Sequence, residues 1–356
     1  MPHWHISADT GGTFTDCFGI PPGGTLADSI LVKVLSSGRL KCSLTEVLDS
    51  HTARLAIPQT WNTPDDFFTG FQADFGEGPA EVSAWSGKER LLTFTRPLPA
   101  LTASTLDLFT GEEAPMIGAR LLTGTAPGQA FPPMEFRLGT TRGTNALLER
   151  KGAPVALFIT RGFGDLLVIR DQRRRDLFAL SHHRPPALFQ EVIEIDERLD
   201  ARGEVIQPLD SGFIEAARTA LTTGIRVAAV SLLHSYRNPI HERQVRDTLL
   251  DLGFDHVSLS SDLAPLIKLL PRAETAVIDA TLTPVLSEFL ARIEQPSLLI
   301  MTSAGGLEPA QSFRPKDSLL SGPAGGVVGA AIAARALGFE KVITFDMGGT
   351  STDVAR

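Results

Sequence analysis

The chain predicts an α/β fold on a mostly parallel sheet, with a β-rich segment inserted into it. Three observations carry that reading. The motif D-x-G-G-T-x-T-D occurs twice, as Asp9 to Asp16 near the start and as Asp346 to Asp353 near the end, each time directly after a short apolar run. From about residue 211 to residue 302, helix-period and strand-period segments alternate, as βαβ units do. Between about residues 60 and 134 the texture changes to closely spaced Gly, Pro, Thr and Phe, as in Phe67-Phe68-Thr69-Gly70-Phe71, which reads as short strands.

Composition narrows the class. A length of 356 residues supports roughly two domains with sizeable cores. Hydrophobic residues at 43% and charged residues at 21% are ordinary for a globular chain, and a net charge of −8 with no aromatic-plus-basic stripe argues against a nucleic-acid partner. The two cysteines, Cys17 and Cys42, give neither a disulfide framework nor metal-ligand spacing, and Cys17 reads as a small strand residue. The start, Met1-Pro2-His3-Trp4-His5, has no charged region followed by an apolar one, so the chain reads as cytoplasmic with no membrane partner.

In order, His3 to Ala8 is a strand, the hairpin continues through Ile20, and the chain turns at Pro21-Pro22-Gly23-Gly24 and returns over Ser29 to Leu35. Leu44 to Leu55, apolar at 44, 47, 48 and 55, predicts a helix ended by Pro58. The insertion follows, with a possible helix near Gly111-Glu112-Glu113 and with Trp61 and Trp85 as its small core. Glu135 to Leu138 is a strand that opens a helix with Thr144 as its cap and Lys151-Gly152 at its end. Val155 to Thr160 is a buried strand. The basic run Arg170 to Asp176 reads as a solvated face.

Next come helix Ser211 to Thr223, strand Arg226 to Leu233, helix Pro239 to Leu252, strand Val257 to Ser260, a long helix from about Glu274 to Ile293 and strand Ser297 to Thr302. His234, at the end of a strand, reads as a satisfied core residue. Pro323 to Gly338 is a helix of small residues, with Pro323 in its first turn and Gly338 at its cap; at this length, and carrying Arg335, it is no membrane span. Lys341 to Phe345 is the strand before the second hairpin.

Both hairpins carry chemistry. Paired glycines, Gly11-Gly12 and Gly348-Gly349, allow φ > 0 and close approach of the backbone to a ligand. Their successive N–H groups form an anion-binding concavity, to which Thr13 or Thr350 adds a hydroxyl. The opening carboxylates Asp9 and Asp346 suit a hydrated Mg²⁺, which prefers one or two carboxylates with phosphates and water. Two such hairpins facing each other would grip a polyphosphate, with Thr15 and Thr352 completing the nucleotide-binding set. The second candidate cluster is Thr140, Thr141, Arg142, Thr144 and Asn145, whose hydroxyls and N–H groups at a helix N-terminus suit an anion or a developing oxyanion. Thr141 is the candidate catalytic member beside Asp9 and Asp346, and the others are candidate substrate contacts.

The paired hairpins resemble the phosphate loops of the actin-like ATPases, whose core is ribonuclease H-like. Together with G-T-T-R-G-T-N-A-L-L-E-R-K-G, S-G-P-A-G-G-V-V-G and Lys33-Val34-Leu35-Ser36-Ser37-Gly38, they make the chain similar to the ATP-dependent hydantoinase/oxoprolinase family, tilting towards its 5-oxoprolinase branch. That resemblance implies ATP and Mg²⁺ as cofactors, a small cyclic amide as substrate, opening of 5-oxo-L-proline to L-glutamate within glutathione metabolism, a hydantoinase B-type region or subunit as partner, and an oligomer. The expected regions are 1–200, with the insertion at about 60–134; 201–322, an α/β part of the core; and 323–356, a connecting helix and the second hairpin, read as the start of a truncated second lobe. Within the same family, a hydantoinase or a ketone carboxylase subunit is the alternative enzyme. A non-catalytic nucleotide-binding module is the alternative of a different class.

Overall fold

The computed structural model describes residues 2–75, 78–98, 105–173, 178, 180, 186–293, 295–347 and 352–356. The chain divides into two compact units. One comprises Met1–Arg142, Glu288–Phe313 and Asp317–Arg356; the other comprises Gly143–Ser287 and Arg314–Lys316.

The first unit starts with the expected antiparallel strands β1 (Trp4–Thr10), β2 (Phe14–Ile20) and β3 (Ile30–Leu35). Alternation along β1 buries Ile6, Ala8 and Thr10 on one face. The chain then enters a closed barrel of six short strands: β4 (Leu40–Val47), β5 (Thr52–Ala56), β6 (Gln72–Asp74), β7 (Pro79–Ser86), β8 (Leu91–Phe94) and β9 (Thr105–Phe109), joined in the order β4-β5-β8-β7-β6-β9.

The barrel takes up the segment expected as a helix over Leu44–Leu55. Its apolar residues follow period two, with Leu40, Cys42, Ala53 and Leu55 buried, whereas Val47 and Leu48, which suggested a helical stripe, are exposed. Between the strands the Asp49 carboxylate accepts the His51 N–H at 2.7 Å, a local bond that favours a turn over continued helix. Phe67, Phe68, Phe71 and Trp85 fill the interior, with the Phe68 and Trp85 rings 4.8 Å apart and edge-on. Trp61 is buried as well.

Helix α1 (Ala114–Thr123) begins directly after Glu113 and is buried almost throughout against the first three strands. Strand β10 (Met134–Thr140) then pairs in parallel with β1. Helix α2 (Arg142–Leu148) opens before the expected cap Thr144, because the Thr140 hydroxyl already accepts the Arg142 N–H at 3.1 Å.

The second unit holds an all-parallel sheet in the order β12-β11-β15-β16. In chain order it comprises β11 (Val155–Thr160), the single turn α3 (Leu166–Ile169), β12 (Glu191–Ile195), the small hairpin β13 (Arg198–Leu199) and β14 (Val205–Gln207), α4 (Phe213–Thr222), β15 (Val227–Ser231), α5 (Ile240–Leu252), β16 (His256–Leu259), α6 (Ser260–Leu263) and the long α7 (Leu269–Ala291). Every residue of β11 and β15 is buried, as strands covered on both faces require. The basic run expected to be solvated is exposed at Arg170 to Arg173, and Arg174 to Asp176 lie outside the described residues.

The chain returns to the first unit with β17 (Leu298–Met301), parallel to β10, and the antiparallel edge strand β18 (Leu307–Pro309), giving the sheet order β18-β17-β10-β1-β2-β3. Helix α8 (Ser321–Ala336) ends as its sequence predicts: Gly338 takes φ 78° and Phe339 N–H donates back to Ala334 O at 2.9 Å. The last elements are β19 (Thr344–Met347) and β20 (Thr352–Ala355), the arms of the second hairpin. Among the described residues, no helix is long and apolar enough to cross a membrane.

Candidate functional site

The two hairpins have the same register. Asp9 pairs with Asp16 and Thr10 with Thr15 in the first; Asp346 pairs with Asp353 and Met347 with Thr352 in the second. At the first tip, Gly11 N–H donates to Phe14 O at 3.0 Å, leaving Gly12, Thr13 and Phe14 exposed. Neither Gly11 nor Gly12 lies in the left-handed region, so the expected φ > 0 is not how this turn closes. The requirement at Gly11 is steric: a Cβ there would stand 3.1 Å from the Phe14 carbonyl oxygen. Gly348, Gly349 and Thr350 lie outside the described residues, and Thr352 is exposed on β20.

The first tip is braced from behind by Ser36, at the end of β3. Its hydroxyl donates to Gly11 O at 2.8 Å and lies 3.1 Å from Thr15 Oγ1, while its N–H donates to Thr13 O at 2.9 Å. Thr15 is completely buried, which places it beneath the loop. On the outer side, Lys33 Nζ sits 3.1 Å from Asp16 Oδ1 and 5.2 Å from the centre of the Phe14 ring, bringing a cation to the tip.

Asp9 opens toward solvent, but its carboxyl packs on backbone, since a Cβ on Gly139 would stand 3.0 Å from Asp9 Oδ1. Burial is the largest cause raising its pKa, followed by the charges of Asp16 and of Asp346. The opening carboxylates of both hairpins therefore share one electrostatic neighbourhood. Two like charges brought together over a Cβ-free floor fit a hydrated divalent cation.

The second predicted cluster divides. Thr141 lies against the loop, its N–H and hydroxyl donating to Thr10 O at 2.9 and 3.2 Å. Thr140 is buried, and its carbonyl accepts the Ser321 hydroxyl at 3.2 Å at the start of α8. Arg142 is held by Glu113, 2.6 Å away and nearly buried, and stacks on Phe289 at 4.2 Å; Arg292 reaches the other Glu113 oxygen at 3.4 Å. Thr144 and Asn145 fall in the other compact unit. Sequence reading assigns no role to Ser36, Ser321, Glu113 or Arg292; Ser36 and Ser321 lie inside motifs, yet nothing in spacing signals their contacts with Gly11 and Thr140.

In the second unit a buried polar network sits at the carboxyl ends of the strands. Glu242 accepts from Leu232 N–H (2.9 Å), Ser235 Oγ (2.7 Å), Ser260 Oγ (2.6 Å) and Ser261 N–H (2.9 Å). Arg272, equally inaccessible, lies 3.6 Å from Glu242 and donates to Leu232 O at 2.8 Å. His241 pairs with buried Glu197 at 2.7 Å. His234 adopts φ 61° just before Ser235 and is half-buried rather than part of the core.

Known proteins share this architecture. Residues 118–253 match the hydantoinase/oxoprolinase N-terminal region, and residues 272–356 match the hydantoinase/oxoprolinase model. 5-Oxoprolinase 1 of Arabidopsis thaliana is 41% identical over 283 residues, which are 69% of this chain and 22% of that protein. Nucleotide-free acetone carboxylase superposes with a TM-score of 0.64 at 23% identity over 100% of this chain and 44% of its own. ATP-dependent caprolactamase from Pseudomonas jessenii does so with a TM-score of 0.62 at 25% identity over 98% of this chain and 43% of its own. The chain thus spans about a fifth of that 5-oxoprolinase and under half of either solved neighbour. With the mixed α/β fold of an actin-like ATPase and two family matches that together take in more than half of its residues, the chain belongs to the hydantoinase/oxoprolinase family.

Proposed function

We propose that this chain binds ATP with Mg²⁺ at its two hairpins and serves the opening of a cyclic amide, 5-oxo-L-proline, to L-glutamate. The observation that carries the reading is the repeated hairpin in one register with Asp9 and Asp346 electrostatically coupled, in a chain whose relatives include a 5-oxoprolinase. A lactam is a poor electrophile; bound ATP supplies the phosphoryl group that turns the amide oxygen into a leaving group. The protein's part is positioning and charge. Asp9 and Asp346 hold the cation through water. Gly12 and Thr13 offer backbone N–H groups to phosphate while Gly11 closes the turn on Phe14, and Gly348, Gly349 and Thr350 are the corresponding candidates of the second motif. Ser36 and Thr15 fix the loop from behind, and Thr141 fixes Thr10 ahead of it. Arg142, steadied by Glu113, is the candidate contact for the substrate carboxylate. The remainder of a second lobe and a hydantoinase B-type half complete the enzyme, of which this chain is an N-terminal part.

The test is ATP-dependent release of glutamate from 5-oxo-L-proline by this chain assembled with the rest of that lobe and its B-type half. Asp9→Asn and Asp346→Asn should each lower turnover by about 10²-fold, the scale of losing one transition-state charge contact. Consumption of a hydantoin, or carboxylation of a ketone, without glutamate release would replace the substrate by that of the alternative enzymes. ATP binding with no turnover of any of these would make the chain a non-catalytic module.

A further inference from the structure

We propose that His3, His5 and Glu135 form a binding site for a divalent first-row transition-metal cation, with Zn²⁺ as the probe. The three side chains offer ligand atoms that all lie within 4.8 Å of one another. Backbone geometry brings them together. Period two along β1 places His5 on the face opposite Ile6 and Ala8, and His3, just ahead of the strand, continues that row. Strand β10 runs parallel beside it with Glu135 directly opposite His5.

Three features separate this cluster from a chance meeting of polar groups. His5 Nδ1 is buried and has no hydrogen-bond partner, although it faces a Glu135 oxygen 3.9 Å away, too far for a hydrogen bond. A cation there would give His5 Nδ1 the partner it lacks. The His3 and His5 rings are 4.5 Å apart and tilted by 57°, so both imidazoles reach the same space. Arg137 donates to Glu135 Oε1 at 2.7 Å, the kind of outer contact that orients a ligating carboxylate.

The donor set selects the ion. Two imidazoles and one carboxylate suit zinc, cobalt, nickel or iron(II), whereas Mg²⁺ and Ca²⁺ prefer oxygen alone. Metal–ligand bonds of ~2.0–2.1 Å in a tetrahedral arrangement put ligand atoms about 3.4 Å apart, so His5 and Glu135 need close by only roughly half an ångström. Three protein ligands leave one position for water. The site is separate from the hairpin carboxylates, since His5 and Asp9 lie four residues apart on one strand, roughly 13 Å at ~3.3 Å per residue.

The experiment is calorimetric titration of metal-free chain 1–356 with Zn²⁺ at pH 7.5, with Co²⁺ visible absorption as a second readout. Wild type should bind one equivalent. His3→Ala and Glu135→Gln should each weaken binding at least tenfold while keeping the wild-type circular dichroism spectrum, and His5→Ala should abolish it. Because the chain has eight histidines, the variants rather than the stoichiometry decide. Binding should also disappear below about pH 6, where imidazole protonates. Absence of Zn²⁺ binding by wild type, or wild-type affinity in His3→Ala and Glu135→Gln together, would overturn the proposal and leave a plain His5–Glu135 contact.

Discussion

At the scale of single residues, Asp9 sets function against stability. Its pKa is raised above the ordinary carboxylate value by burial, then by Asp16 and Asp346. The folded state therefore holds the Asp9 proton more tightly than the unfolded chain does. By linkage, Asp9 costs nothing below its unfolded pKa, near the usual 3.8, and its penalty builds as pH rises from there through the raised folded value. Asp9→Asn should consequently raise the thermal midpoint at pH 7 while cutting turnover, and the midpoints of variant and wild type should converge at pH 3. Mg²⁺ should stabilise wild type more than the variant at pH 7. Differential scanning calorimetry across pH checks this, and a lower midpoint for Asp9→Asn at neutral pH would contradict it. The carboxylates and glycines of this site were legible because a repeated motif marks them. Ser36 was not, because its bond to Gly11 joins residues far apart in sequence, where no local period operates; Thr141 was singled out from its own motif, but its bond to Thr10 was not, for the same reason.

At the scale of elements, reading succeeded where both faces of a strand are buried and failed where a strand curls into a small barrel. Strand β11 was recognisable from its continuous apolar run, whereas β4 and β5 were read as one helix because exposed Val47 and Leu48 happened to fall at helical spacing. Helix α1 packs tightly on β2, where a Cβ on Gly118 would stand 2.2 Å from Cys17 Sγ. Cys17 is completely buried, and burial pushes its thiol far above the usual range, so it packs rather than reacts. Gly118→Ala should destabilise by ~1–3 kcal/mol, and Cys17→Ala should recover part of the loss in the double variant. Urea unfolding of the four proteins measures the coupling; additive effects would mean that the helix simply shifts away. In the second unit, Arg272→Ala leaves Glu242 buried without its cation and should cost about 3–5 kcal/mol, whereas a loss below ~1 kcal/mol would show that the two serines and two N–H groups suffice.

At the scale of the molecule, the alternation of helices and strands from residue 211 to residue 302 was enough to give β15 and β16 of the second unit's parallel sheet, because each βα step is local, whereas its edge strand β12, in an acidic stretch, carried no strand reading. The closure of residues 40–109 into a barrel depends on strand pairs out of sequence order, such as β4 with β9, and no single-segment pattern carries that. The end of the first unit shows a different mismatch between sequence and surroundings. Helix α8 is made of small and apolar residues on every side, a composition that belongs in a buried helix. Yet Ile332, Leu337, Phe339, Ile343, Phe345, Met347 and Val354 are each more than half exposed. Clustered apolar surface of this kind drives association in water. Chain 1–356 should therefore sediment as a concentration-dependent mixture, and Ile332→Ser with Phe345→Ser should shift it towards monomer without changing its circular dichroism. A wild-type chain that stays monomeric across the micromolar range would show that these side chains cover one another in solution.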